Sequence, residues 1–318
     1  MCEQLSDIIN VLTHAFGCSG REDSVRKLIR SCLPDNAGNA IREDSFGNLL
    51  VQTGHRGGPR VMLDAHMDCV GIMLTDVSDT AKMRFRAIGF LFPETMLGAT
   101  MVFENGQMAV VESNAEKGLG MALSSLYLRA LNSDDTFRIG DTAIYKPDYV
   151  YSGGFATGTF LDNRAGCAAL LMSIKEMEKS PNEVWCCFSV QEEVGMRGAA
   201  VAARTIRPEI AFAVDMGIAE PGSGIIEKMM DDSIICDPFA LQILENAAQK
   251  ADVPIMRVVG GAGYTNAGGI HIAGTGCPTA ILGIPARNIH SPREKICLAD
   301  VVACRKTLIE IANTEWRK

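Results

Sequence analysis

Leu5, Ile8, Ile9 and Leu12 recur at helical spacing at the start of the chain, so the pattern predicts an opening amphipathic helix. A polar loop with glycine, Phe16 to Glu22, leads to a second helix, Val25 to Cys32. Two strand-like stretches follow at Asn48 to Thr53 and Val61 to Ala65. From about Val70 to Val150 the texture changes to short alternating segments such as Met83-Arg84-Phe85-Arg86. In this stretch Met101 to Glu104 and Gln107 to Glu112 flank Asn105-Gly106, a two-residue hairpin signal. After Asp162 strands and helices alternate again. The expected elements are a helix from about Asn163 to Lys179, strands Val184 to Val190, Ile210 to Val214 and Thr279 to Ile284, and a terminal helix from about Asp300. Asp237 and Pro238 mark one more helix start as N-cap and first-turn residue. Alternation on both sides of a β-rich stretch predicts an α/β domain interrupted by an insertion.

Composition narrows the classes. Of 318 residues 47% are hydrophobic and only 6% aromatic, and the net charge is −8. Such a chain can fill a large core of aliphatic side chains. It lacks the basic stripes of a nucleic-acid partner. Eleven cysteines are scattered without zinc-finger spacing, which fits buried free thiols in a reducing compartment. The opening helix does not look like a signal peptide, and no apolar run reaches the roughly 18 residues of a membrane span. A cytoplasmic protein without membrane contact is expected.

The chemistry-bearing residues sit beside the apolar strands. His66 and Asp68 close the strand that begins at Val61, and their side chains share one side at i and i+2. A ligating imidazole needs its other nitrogen oriented, and Asp68 is placed to do that or to ligate directly. Asp162 precedes a helix, Glu192 and Glu193 follow the strand ending at Val190, Asp215 follows Val214, and His290 comes soon after Ile284. Alone, each has an ordinary reading: Asp162 as a helix cap, Asp215 as a turn residue, the glutamates as loop carboxylates. Together they place a His or a carboxylate at five element ends, four of them strand ends, where open α/β sheets bind ligands. Adjacent glutamates can divide the work, one on metal and one as general base.

At these residues the chain resembles the dinuclear metallopeptidases that include glutamyl aminopeptidase, the deblocking aminopeptidases and the tetrahedral aminopeptidases, some of them labelled endoglucanases. The matching stretches are Asp44 to Leu49, Ala65-His66-Met67-Asp68, Leu161 to Gly166, Gln191 to Ala199 and Ile289-His290-Ser291-Pro292. They run in family order across nearly the whole chain. The resemblance implies a three-layer αβα catalytic domain with a mixed sheet, residues 1–69 and 151–318, interrupted by a small barrel-like domain, residues 70–150, that serves dimerisation. It implies two divalent cations, zinc or cobalt with manganese compatible. His66, Asp162 and Asp215 would hold one, and Asp162, Glu193 and His290 the other. Asp162 would bridge, Glu192 would be the base and Asp68 would support His66. The activity implied is removal of N-terminal residues from peptides, by copies assembled from dimer to dodecamer.

Two positions depart from the family pattern. Cys69 stands where a glutamate is usual, and Asn266 where an aspartate is usual. Each removes a negative charge near the expected site and points to an altered substrate pocket. A related amidohydrolase or deacylase using the same metals is therefore the second reading, and a non-catalytic family member the third. Gly260-Gly261-Ala262-Gly263 lacks the following Lys-Ser/Thr of a phosphate loop and reads as a turn. His271 is expected to be structural, and His14 and His55 to sit at the surface. Cys69 is expected to be a packing thiol. Arg287 fits either a substrate contact or a surface ion pair.

Overall fold

A computed structural model describes residues 1–34, 41–114, 121–260 and 263–315. A mixed sheet of eleven strands runs through the molecule, and its central strands are nearly continuous apolar runs. Such runs are what burial on both faces requires. Its main path begins with β1 (Ile41–Glu43), β2 (Leu49–Gly54), β12 (Glu183–Ser189), β3 (Arg60–His66), β13 (Ile210–Ile218) and β16 (Thr279–Arg287). It ends with β17 (Glu294–Cys297), β11 (Phe155–Gly158) and β10 (Tyr149–Ser152). β14 (Ile225–Met230) pairs the earlier half of β16 and carries β15 (Ile255–Val259) at its far edge.

β12, β3, β13 and β16 are mutually parallel, so their carboxyl ends lie along one edge. Val214 pairs Ala65 across β13 and β3, which puts Asp215 and His66 side by side one residue further on. Ser189 pairs His66 directly. β13 continues to Ile218 against β16. Asp215 is thus inside a strand and not just past the end expected at Val214, because β16 keeps pairing after β3 has ended.

The helices cover this sheet. α4 (Leu161–Ser173) packs on β3 and β13 together with α1 (Cys2–Thr13) and α8 (Leu298–Asn313). α5 (Arg197–Ile206) and α7 (Asn266–His271) pack on each other and on β3. α2 (Asp23–Ser31) and α6 (Pro238–Lys250) complete the set around the large core. The side chain of Asp237 accepts from the N–H groups of Phe239 and Ala240, the predicted cap, which contributes about 1 kcal/mol. The helix expected to reach Lys179 stops at Ser173 and tightens into a 3₁₀ turn over Ile174–Met177. At its start Asp162 and Asn163 are not helical, and the peptide between them is cis.

The second sheet uses only residues between Gly71 and Tyr145. Its order is β5 (Arg84–Ile88), β4 (Gly71–Asp76), β9 (Thr142–Tyr145), β6 (Thr100–Phe103), β7 (Met108–Ser113) and β8 (Leu126–Ala130). A bridge between Met83 and Leu128 links its two ends, so the sheet is a nearly closed barrel. Met101, Phe103, Ala109, Val111 and Leu128 fill the inside. A hairpin joins β6 to β7 as expected, with three residues, Glu104 to Gly106, at its tip and not two. Short α3 (Pro93–Met96) adds Met96 to the same core.

Candidate metal centre

The parallel strand ends and the turns after them bring the predicted residues together. His66 Nε2 lies 3.3 Å from Asp162 Oδ1 and 3.6 Å from Asp215 Oδ1. His290 Nε2 lies 3.2 Å from Glu193 Oε1 and 3.6 Å from Asp162 Oδ2. Two groups capable of holding a cation result, His66–Asp162–Asp215 and Asp162–Glu193–His290. Asp162 belongs to both and offers a different oxygen to each.

Asp68, wholly buried, orients this arrangement from behind. Its Oδ1 lies 3.4 Å from His66 Nδ1 and accepts the N–H of Glu192 at 2.9 Å. Its Oδ2 accepts the N–H of Glu193 at 3.2 Å and the hydroxyl of Ser19 at 2.6 Å. The turn that carries the two glutamates begins at Gln191, whose backbone is left-handed at φ 55°, a conformation that costs a non-glycine residue about 1 kcal/mol or more. Gly89 closes one side of it: a Cβ there would come within 3.2 Å of both Cβ and Oε2 of Glu193.

Glu294 is the residue the sequence did not reveal. Fully buried, it accepts the N–H of Asp162 on Oε2 and that of His290 on Oε1, both at 2.9 Å. It thereby ties a ligand candidate on α4 to one in the turn after β16. No motif distinguishes it, since it lies four residues past His290 at the start of a short strand. Ser19 and Glu22 were likewise out of sight, being brought in from the 16–22 loop.

The electrostatics are those of a crowded acidic site. Burial, then the neighbouring charges of Asp215, Glu193 and Asp68, push the Glu192 carboxyl well above the ordinary range, against the pull of His66. Burial and the charge of Asp162 raise Glu294 to about 8. Burial would lower His290, but the carboxylates of Glu193 and Asp162 overcome it and raise the imidazole to about 10. Six carboxyl groups thus share one buried region with two imidazoles. Unpaired buried carboxylates cost several kcal/mol each unless cations compensate them. Asp162 Oδ1 and Glu193 Oε1 are buried without any hydrogen-bond donor. Mixed imidazole and carboxylate donors with free oxygens suit a divalent transition-metal ion, so the residues present fit such ions.

The remaining candidates fall elsewhere. Asn266 donates to Asp64 Oδ2, two residues back along β3 from His66, at 2.7 Å and to Ser189 Oγ at 2.8 Å, and belongs to neither cation group. The Cys69 thiol points to the carbonyl of Gly17, and burial raises its pKa strongly; it is a packing thiol. His271 bonds the carbonyl of Cys277, while His14 and His55 are exposed. Arg287 pairs Glu220 at the surface. Gly260 and Gly263 have positive φ, and Gly261 and Ala262 lie outside the described residues. No disulfide occurs among the described residues, and no helix among them is long and apolar enough to cross a membrane.

Fold and site together define an α/β hydrolytic class with cation-binding groups at the carboxyl edge of a mixed sheet. Residues 47–118 and 129–307 match the family described as M42 glutamyl aminopeptidase. The chain belongs to that family and is a metallo-aminopeptidase, a hydrolase acting on peptide bonds. A protein of Acetivibrio thermocellus that carries a provisional aminopeptidase name is 34% identical over 97% of this chain and 98% of its own. The solved structure of an aminopeptidase from the archaeon Desulfurococcus kamchatkensis superposes with TM-score 0.91 at 26% identity, covering 98% of this chain and 95% of that one. The TET1 peptidase of Pyrococcus horikoshii, described as assembling into a tetrahedron or a large octahedral shell, gives TM-score 0.85 at 26% identity, covering 97% and 99%.

Proposed function

We propose that this chain removes N-terminal residues from peptides with a pair of divalent cations, zinc or cobalt, and with Glu192 as general base. His66 and Asp215 would hold one ion, Glu193 and His290 the other, and Asp162 would bridge them. The observation that carries this reading is the sharing of Asp162 between two ligand groups, with one oxygen directed to each imidazole. Such a pair, when bound, acidifies water and polarises the scissile carbonyl.

The protein's own part is to position and to move a proton. Glu192 belongs to neither cation group yet is buried beside both. Its raised affinity for protons suits a base that takes one from the attacking water and holds it. It then hands that proton to the departing amine. Asp68 keeps the backbone of Glu192 and Glu193 in register with His66. Glu294 does the same for Asp162 and His290.

We further propose that residues 70–150 form a unit inserted into the catalytic domain of residues 1–69 and 151–318, and that copies pair through it. A homo-oligomeric shell, up to a dodecamer, in the cytoplasm is the expected form. Assembly of the Pyrococcus horikoshii relative supports this reading. The test of the chemistry is Glu192→Gln. Cation content should match the parent, while kcat on aminoacyl anilides should fall by about 100-fold or more. Turnover equal to the parent would refute the role of Glu192.

A further inference from the structure

The loop of residues 16–22 is tied to the catalytic turn by the side chain of Glu22. Glu22 is the N-cap residue of α2 and makes no side-chain bond to that helix. The side chains that cap well are the shorter Ser, Thr, Asp and Asn, and the carboxylate of Glu22 reaches elsewhere. Its Oε1 accepts the N–H of Gly20 at 2.6 Å and the N–H of Gln191, 169 residues further along the chain, at 3.2 Å. The side chain is buried, with the charge of Asp68 nearby, a placement that costs stability. Gln191 directly precedes Glu192 and has the left-handed backbone noted above. Three residues before Glu22, Ser19 bonds the same Asp68 that holds the N–H groups of Glu192 and Glu193.

We infer that Glu22 is a positioning residue for the hydrolytic reaction: through the N–H of Gln191 it fixes the left-handed turn that aims Glu192. The inference rests on Glu192 serving as the base. Glu22 forms no hydrogen bond with a member of either cation group, and Glu193 keeps its own N–H bond to Asp68 without it, so removal acts first on the backbone of Gln191 that aims Glu192. An error of about 1 Å in such an aim can cost about 100-fold in rate. The function of Glu22 here is that of a hydrogen-bond acceptor, not of a charge, so an amide of equal length replaces it.

The test compares Glu22→Ala, Glu22→Gln and Glu22→Asp with the parent protein loaded with zinc. Readouts are kcat and KM on leucyl, lysyl and glutamyl anilides, and zinc affinity by chelator competition. Glu22→Ala should lose about 10- to 100-fold in kcat, with KM and zinc affinity within about threefold of the parent, a span of less than 1 kcal/mol. Glu22→Gln should keep kcat within about the same threefold. Glu22→Asp, which keeps the charge but falls short of Gln191, should resemble the alanine variant; it carries the test if that variant fails to fold. A glutamine variant as impaired as the alanine variant would overturn the inference, as would a loss confined to KM or zinc affinity. A parent inactive on these anilides with zinc and with cobalt alike would sink the functional reading itself. An active parent with an unimpaired Glu22→Ala variant would sink the positioning role alone.

Discussion

Asp68 accepts the backbone N–H groups of both Glu192 and Glu193, one on each oxygen, at 2.9 and 3.2 Å. It also stands 3.4 Å from the rear nitrogen of His66. One buried carboxylate thereby serves a ligand candidate and the proposed base at once. Asp68→Asn would turn an NH₂ group toward one of these donors. Cation affinity and kcat should each fall by about 10- to 100-fold. Chelator competition and steady-state kinetics check this; parental values in both would show that Asp68 orients neither partner.

Glu294 bonds the N–H groups of Asp162 and His290, so it supports the second cation group more directly than the first. In Glu294→Ala the cation held by Asp162, Glu193 and His290 should become about 10- to 100-fold weaker. A chelator titration of cobalt-loaded protein, followed in the visible spectrum, should then strip the ions in two separated steps. Unaltered affinity for both ions would contradict this.

Asn266 stands where the resembling family usually has aspartate, and its amide donates to Asp64 in a buried setting. Asn266→Asp would set two buried carboxyl groups against each other, which must then share a proton. Thermal unfolding should show a loss of about 1–3 kcal/mol. Adding Asp64→Asn, which restores one donor facing one acceptor, should recover most of it. Lack of recovery in the double variant would mean that the pair is not what Asn266 serves.

Glu22 also predicts a pH dependence of stability. Burial, then the charge of Asp68, raises its carboxyl from 4.5 to about 7. The folded state therefore holds this proton more firmly than the unfolded chain does. That contribution is complete below pH 4.5 and is lost as the pH climbs through about 7. Glu22→Gln carries no such group. Its stability relative to the parent should rise between about pH 4.5 and 7, by at most about 3 kcal/mol. Thermal midpoints across that range check this, and parallel curves for the two proteins would contradict it.

What the sequence revealed divides along physical lines. His66, Asp162, Glu192 and Glu193 were legible because each adjoins a long apolar strand or a helix start, where the change from apolar to acidic is abrupt. The Asn105-Gly106 hairpin and the Asp237 cap were legible because turn and cap chemistry is local. β14, β15 and β17 were not assigned, being four to six residues long, two of them at or near an edge with mixed burial. The strand was expected to end at Val214, one residue before Asp215, because pairing with β16 beyond the end of β3 leaves no local sign. Glu294, Ser19 and Glu22 were missed for a related reason. Glu294 and Glu22 each accept a backbone N–H from far along the chain, that of Asp162 or Gln191, and the Ser19 hydroxyl donates to the distant Asp68; a partner that remote leaves a polar residue looking like any other.

The central claim is that Asp162 joins two cation sites, and the most direct measurement is the metal content of the parent and of Asp162→Ala, taken alongside turnover. Elemental analysis should find two ions per chain in the parent and loss of both, with activity, in the variant. Full turnover by parent protein stripped of metal would contradict that claim, as would a variant that keeps its ions.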